Sequence, residues 1–435
     1  MPEQPTMGPA CQGKRGLPVH GAARAAADNP WVRPGVVVHD PAEVVDDLLA
    51  DFALTLKRRG FNVAGFVQHN NRGCAGKGEG CAPRISYLDL GSGATVKVDR
   101  DDAVTYLQAA MRESTDLLVI SHFSACLGAT DSLHARFGPG AAPGLPLLTS
   151  IAGQCIHKWH CYARQEGTML SPDLASLWAW WGPEHLYRDL ALGVAAQEIR
   201  RIVCGPRWIM IEGPGGVGVA ALPCHPRELL PRLPKLARRS LRELAALSAS
   251  WDPLDMAVAI AAINAHYNRR DVDAPAGNGV RAFRHVPGQV VVVGAFPGVD
   301  GMLPNCALAE ADPRPGRFPI VALDSLLPGC GAAVVNASAL VNRSLPRLLR
   351  LARHRPVALV GPATPLSSRL HDYGLAVVAG FVVDDADGLA AAIRAGATAR
   401  EFGRHGRFIH LPAAKKAADS PEAASFHKAR STIAG

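Results

Sequence analysis

The chain predicts an α/β fold built on parallel sheets and divided into more than one domain. Three observations carry that prediction. The first is a series of strand-then-polar-loop units at QVVVVGAFPG (289–298), GAAVVNASALVN (331–342) and PVALVGPATPLS (356–367). Each opens on consecutive small or β-branched apolar residues, which is how a strand buried on both faces of a parallel sheet reads. Each then breaks into Gly, Pro, Ser, Thr or Asn at the carboxyl end of the strand, the edge where open α/β sheets bind ligands. The second is a similar alternation of strand and helix from residue 34 onward. The third is length: 435 residues exceed one ordinary core and indicate two or three domains.

Residues 1–33 contain no apolar signal core and read as a disordered leader. PGVVVHD (34–40) is a strand and its exit, and AEVVDDLLADFALTLKRRG (42–60) has helical spacing that stops at Gly60. FNVAGFVQ (61–68) is a second strand. A Gly- and Cys-rich loop, NNRGCAGKGEGCAPR (70–84), leads to the hairpin ISYLDLGSGATVKV, turning at Gly91–Gly93. TDLLVISHF (115–123) and LPLLTSIA (145–152) are strands, and SPDLASLWAWWG (171–182) closes the unit as a helix.

A second unit begins near Tyr187 with a predicted helix, YRDLALGVAAQEIRRI, and a hairpin turning at Gly213–Gly216. RELLPRLPKLARRSLREL (227–244) then reads as a basic amphipathic helix. DPLDMAVAIAAINAHYN (252–268) reads as an apolar helix packed against the C-terminal unit. That third unit, 288–413, holds the three strand-loop units and one further strand, LAVVAGFVV (375–383). Residues 414–435 read as a basic, frayed tail.

Hydrophobic residues make up 48% and charged residues 19%, a globular balance. The net charge of +8 is spread along the chain, with its densest cluster interleaved with Leu and Glu, so no nucleic-acid partner is expected. No segment approaches 18 uninterrupted apolar residues, so no membrane span is expected. Ten irregularly spaced cysteines and no secretory signal indicate free thiols in a reducing, cytoplasmic setting.

The glycine loops fail the tests for nucleotide chemistry. GCAGKGEG (73–80) lacks the Ser or Thr of a P-loop and precedes a hairpin, while the first strand exits into the acidic HDPAEVVDD. VVVGAFPG lacks the GxGxxG series. ATP and NAD are therefore not expected. By residue type the best metal ligands are Cys155, His157, His160 and Cys161 in CIHKWHC, with Cys74 and Cys81, or His122 and Cys126, as partners from neighbouring loops. No GxSxG elbow or HExxH helix is present. Asp372 beside Tyr373 is the nearest approach to an acid/base pair, with helix capping as the alternative for Asp372.

From about 187 to 413 the sequence resembles a heavy-metal chelation family. The resemblance rests on WDPLDMAVAIAAINAHYN (251–268), VVVGAFPG (291–298), ASALVNRSLPRLL (337–349) and GPATPLSSRLHDYGLAVVAGFVV (361–383). It implies a Rossmann-like domain (288–413) behind a cap similar to the enolase N-terminal domain (187–270). It also implies a ligand cleft lined by Asn264, Gly294, Phe296, Ser338, Asn342, Gly361, Thr364, Ser367 and Asp372. Few of these are soft-metal ligands, so an oxyanion or a metal inside a small organic chelate suits them better.

Residues 34–182 resemble a second family of unknown function, a shortened relative of P-loop nucleoside triphosphatases found near molybdate-transport and nitrogenase genes. VVVHDPAEVVDDLLADFALTLKRRGFNVAGFVQ, YLDLGSG, DLLVISHF and LASLWAWW carry this likeness. After DLLVI the family shows a basic stretch, whereas this chain reads SHFSACLG. The fold expected is thus an N-terminal P-loop-NTPase-like α/β domain, an α+β cap and a Rossmann-like parallel sheet. The function expected is binding or chelation of a metal species, a transition metal or molybdate, in molybdenum or nitrogenase-cofactor metabolism. An enzyme acting on a small anionic metabolite in the cleft, and a scaffold for metalloenzyme assembly, are the alternatives. The expected partner is a small molecule or metal species, and a homodimer is compatible with the sequence.

Overall fold

The computed structural model describes residues 34–40, 45–69, 86–96, 114–122, 145–163, 167–223, 226–296 and 298–413. They form an α/β structure on three sheets.

The first sheet has the order β4-β3-β2-β5-β6-β1-β7. Its strands are β1 (Gly35–His39), β2 (Val63–His69), β3 (Ser86–Asp89), β4 (Thr95–Val96), β5 (Leu117–Ile120), β6 (Leu147–Ala152) and β7 (Thr168–Leu170). The five strands from β2 to β7 in that order pair in parallel, and the β3–β4 hairpin adds an antiparallel edge. Successive residues face opposite sides. Val37, Val119 and Leu148 therefore pack with Leu49, Phe52 and Leu56 of α1 (Asp46–Arg58), while Val36, Leu118 and Ile120 pack with Trp159 of α2 (Ile156–Ala163). Asp46 and Asp47 open α1 and Lys57 and Arg58 close it, which complements its dipole. The side chain of Asp173 caps α3 (Leu174–Trp181) by accepting from the Ser176 N–H.

The middle sheet, β10-β9-β8, is an antiparallel meander of β8 (Arg201–Cys204), β9 (Trp208–Glu212) and β10 (Val217–Ala221). The helix expected from Tyr187 is shorter than the sequence suggests: α4 spans Leu186–Gly193, Val194 turns extended, and the Ile-Val-Cys run becomes β8. The expected helix over 227–244 is also broken. Pro231 and Pro234 lack N–H donors and start new turns, leaving α5 (Leu233–Leu236) and α6 (Leu241–Ala245), the latter opened by a Ser240–Glu243 capping box. The apolar helix α7 (Pro253–Tyr267) is buried over most of its circumference. It lies so close to β10 that a Cβ at Gly218 would strike the Ala261 carbonyl and the Ala265 amide.

The third sheet runs β13-β12-β11-β14-β15-β16-β17. β11 (Val290–Val293), β14 (Ala332–Asn336), β15 (Val357–Val360) and β16 (Leu375–Val383) are the strands expected. β12 (Cys306–Glu310), β13 (Phe318–Pro319) and β17 (Gly406–Pro412) are additional. All pair in parallel except β16 with β17. The outer side of β17 is covered by the 275–277 segment: the Gly277 N–H donates to the Phe408 carbonyl at 2.9 Å and the His410 N–H to the Pro275 carbonyl at 3.0 Å. One apolar cluster runs from Phe52 and Trp181 through Leu190 and Ile260 to Val335 and Leu359, so the three sheets share a core. No helix among the described residues is long and apolar enough to cross a membrane.

Candidate functional site

In the third sheet β11 leads outward to β12 on one side and β14 leads to β15 on the other. The strand order reverses between β11 and β14, and a crevice at such a switch point is where open sheets bind ligands. Gly294, the first residue beyond β11, has φ +95°. A Cβ there would lie 2.8 Å from Cβ of Asn336, so glycine is required both by conformation and by space. Asn336 ends β14 and ties the two exits together. Its Nδ2 donates to the Ala295 carbonyl at 3.1 Å and its Oδ1 accepts from the Ser338 N–H at 2.9 Å. Ser338 stands beside Gly294, and Gly361, at the exit of β15, lies against Ala337. Phe296 is partly buried on the apolar cluster of Val290 and Leu303. Asn342 ends the Ser338–Val341 turn, and its Oδ1 accepts from the Ser344 N–H (3.0 Å) and hydroxyl (2.7 Å).

The remaining members of the expected cleft lie in a buried joint between α7 and the third sheet. Asn264 is fully buried and donates to the Val219 carbonyl at 2.9 Å, which fastens α7 to β10. Thr364 is equally buried, and Ser367 contacts the Tyr267 hydroxyl. The pin of this joint is Asn268. Its Nδ2 donates to the carbonyls of Thr364 (3.0 Å) and Phe381 (3.2 Å), and its Oδ1 accepts from the Leu366 N–H (2.8 Å).

Asp372 does not cap a helix but pairs with Arg59, which directly follows α1. Arg59 also donates to Asp189 at 2.7 Å and lies over the Trp178 ring at 4.6 Å. Asp189, with no solvent exposure, further accepts from Arg369 (2.6 Å) and from the Tyr373 hydroxyl (2.9 Å). Burial and the neighbouring Asp189 carboxylate hold the Tyr373 hydroxyl well above its ordinary pKa, so it remains a donor. Asp372 and Tyr373 thus belong to a charged junction joining the segments that carry the three sheets.

Cys155 closes a 3₁₀ turn after β6, and His157, His160 and Cys161 stand on α2, whose buried residue is Trp159. Among the described residues no three His, Cys, Asp or Glu side chains are placed to hold a metal ion, so this set does not converge within them. Cys74, Cys81 and Cys126 lie outside the described residues. At the carboxyl ends of β1 and β5, His39 and His122 meet edge to face with ring centroids 6.0 Å apart, and His122 Nε2 lies 3.0 Å from Asp46 Oδ2. The bond from Asp46 raises the pKa of His122.

Sequence reasoning does not single out Asn336, Asn268, Asp189 or His39. Asn336 carries a visible signal, an amide closing an apolar strand. Asp189 carries none, because its partners come from residues far apart in the chain.

Residues 284–412 match the DUF364 family, and residues 187–267 the DUF4213 family, each described as "Putative heavy-metal chelation". Residues 35–180 match a family described as "Protein of unknown function (DUF2478)". The curated "Molybdenum import ATP-binding protein ModC 2" of Bradyrhizobium diazoefficiens is 31% identical over 165 residues, 34% of this chain. The chain spans only 18% of that protein's length. A solved structure of a DUF364-family protein of unknown function from Desulfitobacterium hafniense is 29% identical, with TM-score 0.47, over 52% of this chain and 97% of that one. Another from Pyrococcus horikoshii is 18% identical, with TM-score 0.44, over 55% of this chain and 100% of that one. Three successive segments of the chain, residues 35–180, 187–267 and 284–412, thus each match a different family model, the last two sharing one description.

Proposed function

We propose that the protein binds a metal species presented as an oxyanion or inside a small organic chelate, in the crevice between β11 and β14, and that molybdenum is the metal served. The observation that carries this reading is the donor set at the switch point: the Ser338 hydroxyl, the second hydrogen of the Asn336 amide and the backbone at Ala295 and Phe296, the Gly294 N–H being held by the Ala309 carbonyl. Hydroxyl, amide and backbone N–H groups suit the oxygen periphery of an oxyanion or chelate rather than a bare soft ion. The family description supports the metal, and the name of the Bradyrhizobium relative supports molybdenum.

Isothermal titration of the full chain with molybdate, and with molybdate plus citrate, tests the reading. Saturable binding is expected, weakened by about ten- to a hundredfold in Ser338→Ala, the cost of one hydrogen bond to a charged group. Absence of binding for both probes, or unchanged affinity in Ser338→Ala, would sink it.

A further inference from the structure

The N-terminal domain carries functional side chains that the crevice does not use. β1, β5 and β6 run in parallel and end on one edge of the first sheet, and β1 leads toward the start of α1. In a nucleotide-binding sheet that strand-to-helix turn holds phosphates. Here His39 ends β1, Asp46 opens α1 and His122 follows β5.

His39 is only 6% exposed. Its Nδ1 lies 2.9 Å from the Asp40 carbonyl oxygen, which can only accept, so Nδ1 is the donor and Nε2 is the ring nitrogen left to hold a ligand. That Nε2 is buried and has no hydrogen-bond partner among the described residues. Asp46 is also 6% exposed. Its Oδ2 accepts from His122 Nε2, and its Oδ1 is buried without a partner among the described residues. His122 takes a left-handed backbone conformation, φ +53°, and its N–H donates to the Ser150 hydroxyl at 2.9 Å. An uncompensated buried polar atom is unfavourable, and His39 Nε2 and Asp46 Oδ1 both flank His122, a residue in a strained backbone conformation.

Something electron-poor relieves that cost. A phosphate or other oxyanion would meet the Asp46 carboxylate and the acidic first turn formed by Asp46 and Asp47. We infer that His39 Nε2 and Asp46 Oδ1 are donors to a divalent transition-metal cation, with His122 orienting the carboxylate through its other oxygen. One imidazole and one carboxylate suit zinc, cobalt, nickel or iron. A carboxylate held from behind by a second ring is the usual support for such a ligand. Since no three His, Cys, Asp or Glu converge among the described residues, these two side chains leave positions on the ion for water or a small chelating molecule. The site does not rest on the reading of the crevice.

Titrating the full chain with Co²⁺, followed by visible absorption and calorimetry, tests the inference. One equivalent is expected to bind, with affinity falling at least about tenfold in both His39→Ala and Asp46→Asn, and about ten- to a hundredfold in His122→Ala. Asp46→Asn keeps the side-chain volume and decides the matter if His39→Ala fails to fold. The α2 variant His157→Ala/His160→Ala should retain the cobalt. The inference is overturned if the chain takes up no Co²⁺, if Asp46→Asn binds as tightly as the parent, or if the α2 variant alone abolishes binding.

Discussion

Asn268 makes three hydrogen bonds to backbone groups of two different segments, and no apolar side chain of its size could replace them. His185 makes a different demand on its surroundings. Its ring stacks on Trp181 at 3.8 Å, its Nδ1 donates to the Trp181 carbonyl at 2.7 Å, and burial pushes its pKa down to about 4. A folded-state pKa below the unfolded one means that the unfolded chain binds the extra proton first. The stabilisation is therefore complete above about pH 6.5 and disappears as the pH falls toward 4. Thermal melts across that range should show the parent losing on the order of 2 kcal/mol relative to His185→Phe, after allowance for the partial exposure of the ring. Parallel pH profiles for the two proteins would exclude His185 as the source. None of this is legible locally, because a histidine two residues before Tyr187 reads as an ordinary surface residue until Trp181 stacks on it.

Elements are legible where burial is continuous and obscure where it is not. Val290–Val293, Ala332–Asn336 and Val357–Val360 are visible because strands covered on both faces lose their alternation. Phe318–Pro319 is two residues long and Gly406–Pro412 carries Arg and His among its apolar positions, so neither presents a pattern. Arg201–Cys204 merges into a predicted helix because its meander partners come later in the chain. The apolar helix Pro253–Tyr267 is plain in the sequence, but its packing distance is not. That distance is set by Gly218, where any side chain meets the helix backbone, with the Asn264 carbonyl carbon 2.7 Å from the Cβ position. Gly218→Val should force the helix from β10 and cost about 1–3 kcal/mol or more, the range for overpacking a core. Urea unfolding measures it, and a midpoint equal to that of the parent would disprove the close approach.

At the level of the whole molecule, Asp189 is the meeting point. Arg59 comes from the segment of the first sheet, Asp189 from that of the second, and Arg369, Asp372 and Tyr373 from that of the third. A second tie runs from Arg188 to Asp116, which also accepts from the Asn62 N–H at 2.8 Å. Removing one partner of a buried ion pair leaves uncompensated charge and costs about 3–5 kcal/mol. Asp189→Ala is therefore expected to lower stability by that amount, to divide a single calorimetric transition in two and to speed proteolysis between Gly182 and Leu186. One transition at the parent temperature would contradict the junction.

The two borders of the third sheet bear on how copies of this protein can meet. One border ends in a two-residue strand whose last residue, Pro319, has no N–H to offer, and the other is already hydrogen-bonded to the 275–277 segment. Phe318, Ile320 and Val321 are exposed at the first border, yet no extended backbone ladder stands beside them to receive a foreign strand. Neither border of this sheet therefore offers the long open backbone ladder that strand-by-strand, fibril-like growth requires.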